Sequence, residues 1–358
     1  MLEKIKFYQT GSNTVGNRLL NPAMRTIQSS ADRPNGLISG HRACQGCGEA
    51  LGTRYAIDAA MKATNGNIMV VNATGCLEVF STPYPESAWR LPWVHSLFGN
   101  TAAVGSGLAA AAAIRAKKNG DTNVPRIIAQ GGDGGTTDIG FGPLSGMFER
   151  NDDVLYLCYD NEAYMNTGVQ RSSATPPSAR TATTQLVGDK PGADWGDESC
   201  PKGKDVPLIA MAHGIPYVAT ATVADLRDLE YKVTKAMQFH GARFIQILVP
   251  CPLGWGLTSN STVTVARMAM ETGFYPVYEA EYGKITSVRK IRQKQPVINY
   301  LKMQRRYAHL TGKKADPNVV ARLQALCDTN IKNFGLLGDE EPNGTPVAIQ
   351  AYERNSAV

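Results

Sequence analysis

A glycine-rich turn with a single carboxylate follows one apolar segment of the chain. In the sequence IIAQGGDGGTTDIG, the glycines around Asp133 let the backbone approach a phosphate closely, and a helix N-terminus after them favours an anion. Asp133 is a hard oxygen ligand suited to Mg²⁺. Asn161 ends the next apolar segment, 28 positions later. The spacing therefore predicts a diphosphate and Mg²⁺ site, although Asp133 could instead cap a helix after a common kind of turn.

Four of the seven cysteines stand where a metal cluster could use them. Cys44 and Cys47 form a C-x-x-C before the first predicted helix, Cys76 follows the first predicted strand, and Cys251 follows the last. A single C-x-x-C is compatible with a redox disulfide, zinc or an iron–sulfur cluster. The lack of a second C-x-x-C, the Cys251-Pro252 pair and the two positions at strand ends favour a [4Fe–4S] cluster, with a four-cysteine zinc site still open. The other three are interpreted as packing residues: Cys158, Cys200 and Cys327.

The elements that must position these groups alternate between strands and helices. Five nearly continuous apolar runs predict strands buried on both faces: 67–72, 126–129, 154–159, 217–220 and 244–249. Helical patterns fill the gaps: 49–64, 101–119, 139–150 and 223–239. The alternation predicts an α/β fold with a doubly wound, mostly parallel sheet. Because parallel strands place their carboxyl ends at one edge, the Mg²⁺ site and the cysteines should lie near each other.

The rest of the chain is interpreted as attachments to this domain. Residues 1–37 predict an N-terminal arm, 38–257 the α/β domain, and 258–358 a helical or irregular extension for subunit contacts without a series of strands. Residues 281–314 hold ten Lys or Arg and one acidic residue, within a chain of net charge +6. This basic segment is either a solvated helical face or a docking surface for an acidic protein. Nucleic acid is disfavoured because no RNA-binding or zinc-finger motif accompanies it.

Composition excludes several classes of protein. With 358 residues, 43% hydrophobic and 19% charged, the chain can bury a substantial core and is neither disordered nor a coiled coil. Its odd number of cysteines disfavours a disulfide scaffold. The start lacks the apolar stretch of a signal peptide, and no segment is long enough to span a bilayer. We therefore expect a cytoplasmic protein.

The combination of motifs is more specific than any one of them. HRACQGCGEA, NATGC, GGDGGTTDIG, DNEAYMNTGVQRSSATPP and VPCPLGWG resemble the catalytic β subunit of the 2-oxoacid:ferredoxin oxidoreductases, with the pyruvate enzymes as the nearest group. The resemblance covers about residues 38–310. It implies the diphosphate-binding half of the thiamine-diphosphate fold. The family motif often ends in two Asn, whereas this chain has Asp160 followed by Asn161.

The resemblance assigns site residues one by one. It implies one [4Fe–4S] cluster on Cys44, Cys47, Cys76 and Cys251, and Mg²⁺ on Asp133, Asn161 and the Ala163 carbonyl. Thiamine diphosphate would be held by two segments, which comprise Gly132, Asp133, Gly134 and Gly135, and then Asn161, Glu162, Ala163, Tyr164, Met165 and Asn166. Cys76 and Glu49 would also touch the cofactor, and Asn166 would face the substrate. From the residues alone, Glu49 is a first-turn helix acid and Asn166 a turn residue.

The resemblance also implies a reaction and partners. The reaction is oxidative decarboxylation of a 2-oxo acid to acyl-CoA and CO₂, with pyruvate as the first choice and branched-chain, aromatic, oxalate or 2-oxoglutarate substrates as alternatives. Since one glycine–metal motif is present, a pyrimidine-domain α subunit should supply the activating Glu. Coenzyme-A-binding and ferredoxin-like subunits and a ferredoxin acceptor complete the expected set. A non-redox decarboxylase or carboligase, and a metal-binding assembly subunit without its own cofactor, stay open.

Overall fold

Eight strands form the central sheet of the computed structural model, which describes residues 33–184, 186–187, 190–191, 203–313, 315–338 and 342. In chain order they are β1 (Ile68–Ala73), β2 (Trp93–Ser96), β3 (Arg126–Gly132), β4 (Val154–Asp160), β7 (Tyr217–Thr222), β8 (Arg243–Leu248), β9 (Tyr278–Glu281) and β10 (Lys284–Val288). Two further strands, β5 (Leu186–Val187) and β6 (Lys190–Pro191), pair only with each other. The order across the large sheet is β10-β9-β7-β8-β4-β3-β1-β2.

Helices occur before, between and after these strands. They are α1 (Gly48–Ala63), α2 (Cys76–Ser81), α3 (Thr101–Asn119), α4 (Phe141–Glu149), α5 (Val206–Ala212), α6 (Leu226–Ala236), α7 (Pro252–Trp255), α8 (Thr262–Glu271), α9 (Val297–Lys302), α10 (Ala308–Thr311) and α11 (Pro317–Asn333). A π-helical turn (Gly135–Ile139) precedes α4, and a 3₁₀ turn (Arg305–Tyr307) precedes α10.

The parallel strands lie at the centre because their sequences are apolar on both faces. From β7 through β8, β4, β3 and β1 to β2, every neighbouring pair is parallel. Every residue of β4 is buried. One face of the sheet packs on α1 and α6, and the other on α4 and α5. Helices on both faces of a mostly parallel sheet confirm the predicted doubly wound α/β fold.

A third apolar cluster joins the C-terminal helices to the end of β8. Trp255 of α7, Val265 of α8, Tyr300 of α9 and Leu323 of α11 are buried together there. Cys327 belongs to the same cluster, and Cys158 is buried in β4, so both pack as predicted. Cys200, residues 1–32 of the predicted arm and most of the last 20 residues lie outside the described part of the chain.

The C-terminal extension, predicted without a series of strands, adds two strands to the main sheet. β9 pairs antiparallel with β7, and β10 pairs antiparallel with β9. The sequence of β9 is YEAE, so it lacks an apolar run. Glu279 is nevertheless buried, because its carboxylate accepts a hydrogen bond from Tyr217 (2.8 Å) and pairs with Lys235 (3.2 Å). Side chains from other elements therefore stabilise the buried carboxylate of this polar strand, and the local sequence of β9 does not reveal these partners.

The edge strand β2 was also not predicted from the sequence. It is only four residues long and half exposed, so it lacks the apolar run of the central strands. His95 lies on this strand. Its ring nitrogen Nε2 is 2.8 Å from the Thr74 hydroxyl. In the described part of the chain, no helix combines the length and apolarity that crossing a membrane requires.

Candidate functional site

The sheet brings the ends of four neighbouring strands together. Along the edge, β8 leads to Cys251, β4 to Asn161, β3 to Asp133 and β1 to Cys76. β3 and β4 are paired directly, with Gly132 opposite Tyr159. The predicted proximity of the oxygen ligands and the strand-end cysteines is therefore a property of the strand order.

Three polar groups converge at the ends of β3 and β4. The side-chain amide of Asn161 lies 2.8 Å from the carbonyl oxygen of Ala163 and 3.0 Å from Oδ1 of Asp133. The other end of this amide lies 3.4 Å from Glu49 Oε2. Without a cation, the amide nitrogen faces the first two oxygens and donates to both. With its oxygen turned inward instead, the amide would complete a set of three oxygen ligands for a hard cation.

Asp133 is almost fully buried, with 1% of its surface exposed. Burial raises the pKa of its carboxyl to about 7, although the hydroxyl of Ser172 donates to Oδ2 and lowers it. Sequence reasoning missed Ser172, which lies 39 residues away in a loop. A buried carboxylate with a raised pKa gains from a nearby cation, because the cation offsets the cost of leaving water.

The glycine-rich turn is shaped by close packing against Tyr164. A Cβ atom on Gly134 would lie 2.6 Å from the Tyr164 ring, so only glycine fits this position. The Tyr164 hydroxyl donates to Asp138 Oδ2 at 2.9 Å, which ties the loop after β4 to the turn after β3. Thr137 Oγ1 is buried there and finds no partner within the described structure. The turn thus offers glycine backbone and one unsatisfied hydroxyl to an anion.

The four predicted cysteines line one cavity of about 120 Å³. Glu49, Asn161 and Asn166 line the same cavity, so the thiols and the oxygen site share a wall. Cys44 is exposed, and the other three are partly buried. Within the described residues, no three His, Cys, Asp or Glu side chains meet closely enough to hold a single metal ion. The sulfur atoms are distributed around the cavity.

Three of these cysteines begin helices. Cys47 is the N-cap of α1 and accepts a hydrogen bond from the Ala50 N–H (3.5 Å), and Cys251 is the N-cap of α7 and accepts one from the Gly254 N–H (3.3 Å). Cys76 is the first residue of α2. Backbone N–H groups and helix N-termini stabilise negative charge on sulfur. Three helix starts therefore favour thiolates in this cavity.

Burial opposes thiolates in the metal-free chain. It raises the pKa of Cys47 to about 12, with the Glu49 charge as the next cause, and it also raises the pKa of Cys76 and Cys251. The free thiols of these three cysteines are therefore protonated at neutral pH. A bound metal would reverse this, since metal ligation deprotonates cysteine.

Glu49 lies between the two sets of residues. It is in the first turn of α1, two positions after Cys47, and has 3% of its surface exposed. Burial raises its pKa to about 8, and the Asp133 carboxylate raises it further, against the hydrogen bonds from Asn161 and the Leu77 N–H. A carboxyl with such a pKa can hold or release a proton near neutral pH.

The loop after β4 holds the other predicted residues in different environments. Asn166 is exposed at the cavity, and Met165 packs against Gly254 beside Cys251. Glu162 has a positive φ of 66° and is buried, but its side chain points away from the cavity to Arg306, with Oε2 2.5 Å from Nη2. Its carbonyl accepts from Thr175 (2.7 Å). Both groups are thus already used within the protein.

A supporting pair that sequence reasoning missed lies under this loop. The Arg306 guanidinium stacks 3.6 Å from the centre of the Trp255 ring. The Trp255 indole N–H donates to the Asn161 carbonyl at 2.8 Å. Together with Glu162, these side chains fix the segment that carries the Asn161 amide. The only signal in the sequence was the basic segment around 281–314, which gave no hint of a buried role.

The basic segment is partly neutralised inside the protein. Arg306 pairs with Glu162, Arg289 with Asp225 (2.5 Å) and Lys294 with Asp328 (2.9 Å). Residues 281–314 therefore do not form one uniformly basic face. Its remaining cations are scattered over several elements.

Comparisons with known proteins agree with this geometry. A family model described as "Thiamine pyrophosphate enzyme, C-terminal TPP binding domain" matches residues 73–247, which include the glycine turn and the loop after β4. Cys44, Cys47, Glu49 and Cys251 lie outside that match.

Named relatives match over nearly their whole length. The pyruvate synthase subunit PorB of Methanocaldococcus jannaschii is 47% identical over 300 residues, which are 83% of this chain and 95% of that protein. The ketoisovalerate oxidoreductase subunit VorB of Pyrococcus abyssi is 41% identical over 76% of this chain and 86% of that protein. A solved 2-oxoglutarate:ferredoxin oxidoreductase from Magnetococcus marinus aligns with a TM-score of 0.49 and 23% identity, over 62% of this chain and 69% of that chain. The chain belongs to the family of the pyruvate synthase subunit PorB, the thiamine-diphosphate-binding β subunits of the 2-oxoacid:ferredoxin oxidoreductases, and is part of an oxidoreductase that acts on a 2-oxo acid.

Proposed function

We propose that this chain is the catalytic β subunit that oxidatively decarboxylates pyruvate to acetyl-CoA and CO₂, with electrons leaving through a [4Fe–4S] cluster on Cys44, Cys47, Cys76 and Cys251. One observation carries the proposal: the four thiols and the oxygens of the Asp133–Asn161 site line or adjoin a single cavity. A redox centre beside a thiamine cofactor is the requirement of this reaction.

The residues present fit thiamine diphosphate and Mg²⁺. The Asp133 carboxylate, the Ala163 carbonyl and the Asn161 amide converge within 3.0 Å, and with the amide oxygen turned inward they would supply three oxygens to a hard cation, with further oxygens from a diphosphate. The glycine turn and the unsatisfied Thr137 hydroxyl suit the diphosphate itself. The cofactor would supply a carbanion that attacks the 2-oxo carbon, and the chain's own residues bind and orient it.

The residues present also fit a cubane cluster. Four cysteines around one cavity, three of them at helix starts, provide thiolate ligands with N–H···S bonds that tune the reduction potential. A four-cysteine zinc site remains the competing assignment. The sulfur atoms do not converge on a single-ion site among the described residues, and elemental analysis separates the two.

Roles for the remaining site residues follow from where they lie. Glu49, with its raised pKa and its contact to Asn161, would hold a proton near the cofactor and keep the amide in place. Asn166, exposed at the cavity, would donate to the substrate carboxylate or carbonyl. Glu162 would act through its backbone and its ion pair with Arg306.

An apolar rim supports a partner subunit over the site. Large side chains are exposed after four of the strand ends: Val79 after Cys76, Leu97 after β2, Ile139 after the glycine turn and Leu253 after Cys251. Exposed apolar side chains that cluster around a polar cleft mark a protein interface. A pyrimidine-domain α subunit seated there would supply the activating Glu and most substrate contacts. Coenzyme-A-binding and ferredoxin-like subunits would complete a cytoplasmic complex.

The experiment is an anaerobic comparison of the reconstituted complex with its Cys251→Ser variant. We expect the parent complex to hold about four more iron and four more sulfide per copy of this chain than the variant, and the variant to lose pyruvate-dependent viologen reduction. Cys158→Ser, in the buried core of β4, is the matched cysteine control for iron content. Zinc in place of iron, or full iron and activity in Cys251→Ser, would contradict the four-ligand assignment.

Substrate preference is tested in the same assay. Pyruvate is favoured by the 47% identity to a pyruvate synthase subunit, and 2-oxoisovalerate is the alternative supported by the 41% identity to a ketoisovalerate enzyme subunit. We expect the higher kcat/KM with pyruvate. A higher value with 2-oxoisovalerate would reassign the substrate and leave the cofactor assignments intact.

A further inference from the structure

A groove lined by five cations lies away from the cofactor cavity. The start of α6, the C-terminal half of α8 and the segment after β10 enclose a volume of about 490 Å³. We call this the basic groove, and its cations are Arg227, Arg267, Arg289, Lys290 and Arg292. Only the last three belong to the basic segment of the sequence, so the groove is assembled by the fold.

Its positive charge is only partly neutralised by the protein. Arg289 pairs with Asp225, whose other carboxylate oxygen caps α6 by accepting from the Asp228 N–H (3.2 Å). Glu271 is the other carboxylate in the lining. The other three arginines of the groove are exposed, and none of them forms an ion pair within the described part of the chain: Arg227, Arg267 and Arg292. An unneutralised group of exposed arginines attracts an acidic surface at long range.

The groove is one helix away from the loop that carries Cys44 and Cys47. The Thr262 hydroxyl, at the start of α8, donates to the Gly46 carbonyl between those cysteines at 2.5 Å. Gly46 has a φ of 73°, and a Cβ there would overlap the Ser259 carbonyl, so loop and helix are locked together. α8 has ten residues and is therefore about 15 Å long. Cys44, the exposed cysteine of the four, lines a surface pocket together with Thr262 at the start of α8.

We infer that the basic groove docks an acidic surface of the iron–sulfur protein that accepts electrons from the complex. The inference rests on the proposed function. The positive charge of the groove fits a partner with an acidic surface. Because α8 joins the groove to the loop of Cys44 and Cys47, that partner would lie beside the proposed cluster. A small anion is a poorer fit, because the unneutralised arginines are exposed and come from separate elements, whereas small-anion sites use buried converging donors. The chain's own acidic residues 339–341 are the other candidate occupant.

The test compares two double charge reversals in the reconstituted complex. Arg227→Glu/Arg292→Glu changes the groove, and Lys117→Glu/Lys118→Glu makes the same change in charge on two exposed lysines in the last turn of α3. Pyruvate oxidation is measured with a purified ferredoxin of low isoelectric point and with methyl viologen. We expect the KM for ferredoxin to be at least tenfold higher in the groove variant than in the parent, and to depend less on salt concentration. The kcat with methyl viologen should be unchanged. The control should behave like the parent.

Each other result overturns the inference in an identifiable way. An unchanged KM for ferredoxin excludes the groove as the docking site. Dissociation of the groove variant during gel filtration makes the groove a subunit interface. If inorganic phosphate protects the parent from unfolding and the groove variant loses this effect with its ferredoxin KM intact, the site takes small anions. If the groove variant unfolds at a lower urea concentration than the parent, and neutralising residues 339–341 with Asn and Gln has the same effect, the chain's own tail is the occupant. Absence of viologen reduction in the parent would refute the proposed function itself.

Discussion

Replacing Arg306 with Met should destabilise the loop that carries Asn161. Arg306 has 6% of its surface exposed, and its guanidinium pairs with Glu162 at 2.5 Å, donates to Gln304 Oε1 at 2.8 Å and stacks on Trp255. Methionine keeps much of the side-chain volume but removes the charge and all donors. Glu162, with 4% exposed, would then be a buried carboxyl without its cation.

The expected magnitude follows from these contacts. Breaking a buried ion pair from one side costs about 3–5 kcal/mol, because the remaining charge stays desolvated. The loss of the cation–π stack on Trp255 belongs to the same side chain, so it is not added separately. We expect about 4 kcal/mol for Arg306→Met. The double variant Glu162→Gln/Arg306→Met should be more stable than Arg306→Met alone, since no unpaired charge is left in the core.

Urea unfolding of the purified chain, followed by circular dichroism, measures these free energies. Arg305→Met is the matched control, because Arg305 is exposed next to Arg306, and it should change the free energy of unfolding by less than about 0.5 kcal/mol. Calorimetric binding of thiamine diphosphate with Mg²⁺ to the reconstituted complex should weaken in Arg306→Met, since the loop positions an oxygen ligand. A cost below about 1 kcal/mol, or a double variant less stable than Arg306→Met, would refute the role given to the pair.

Two further predictions concern single polar contacts. Ser172→Ala removes the hydroxyl that donates to Asp133. The dissociation constant of thiamine diphosphate in the presence of Mg²⁺ should therefore rise about tenfold or more. An unchanged dissociation constant would contradict this. Asp153 lies partly buried, with Oδ1 2.6 Å from the Arg243 guanidinium. Burial raises the pKa of its carboxyl, but Arg243, His240 and Arg126 together outweigh burial and lower it. Its stabilisation is complete above the unfolded pKa of about 3.9 and is lost as pH falls through the lower folded value. The stability gap between the parent and Asp153→Asn in urea should therefore shrink as the pH falls below about 4, and a gap that persists at pH 3 would count against the ion pair.

The parts of the fold that sequence predicted are those determined by local pattern. β3 and β4 were predicted because their apolarity is continuous, and their polar ends were predicted to meet because parallel strands share an edge. The contacts that hold the site were not predictable in this way. Ser172 reaches Asp133 across 39 residues, and Arg306 reaches Glu162 across 144, through loops whose paths depend on the whole fold. β9 was missed for the same reason, since its buried Glu279 depends on a tyrosine and a lysine from other elements.

The strand order places the proposed cluster ligands next to the proposed Mg²⁺ ligands. The oxygen site lies at the ends of β3 and β4, and Cys76 and Cys251 follow the flanking strands β1 and β8. The remaining two cysteines come from the loop before α1, whose first turn also places Glu49 against Asn161. One helix start therefore positions a proposed cluster ligand and a neighbour of the proposed Mg²⁺ ligand two residues apart. Because a packed helix moves as a unit, a displacement of Cys47 is transmitted to Glu49.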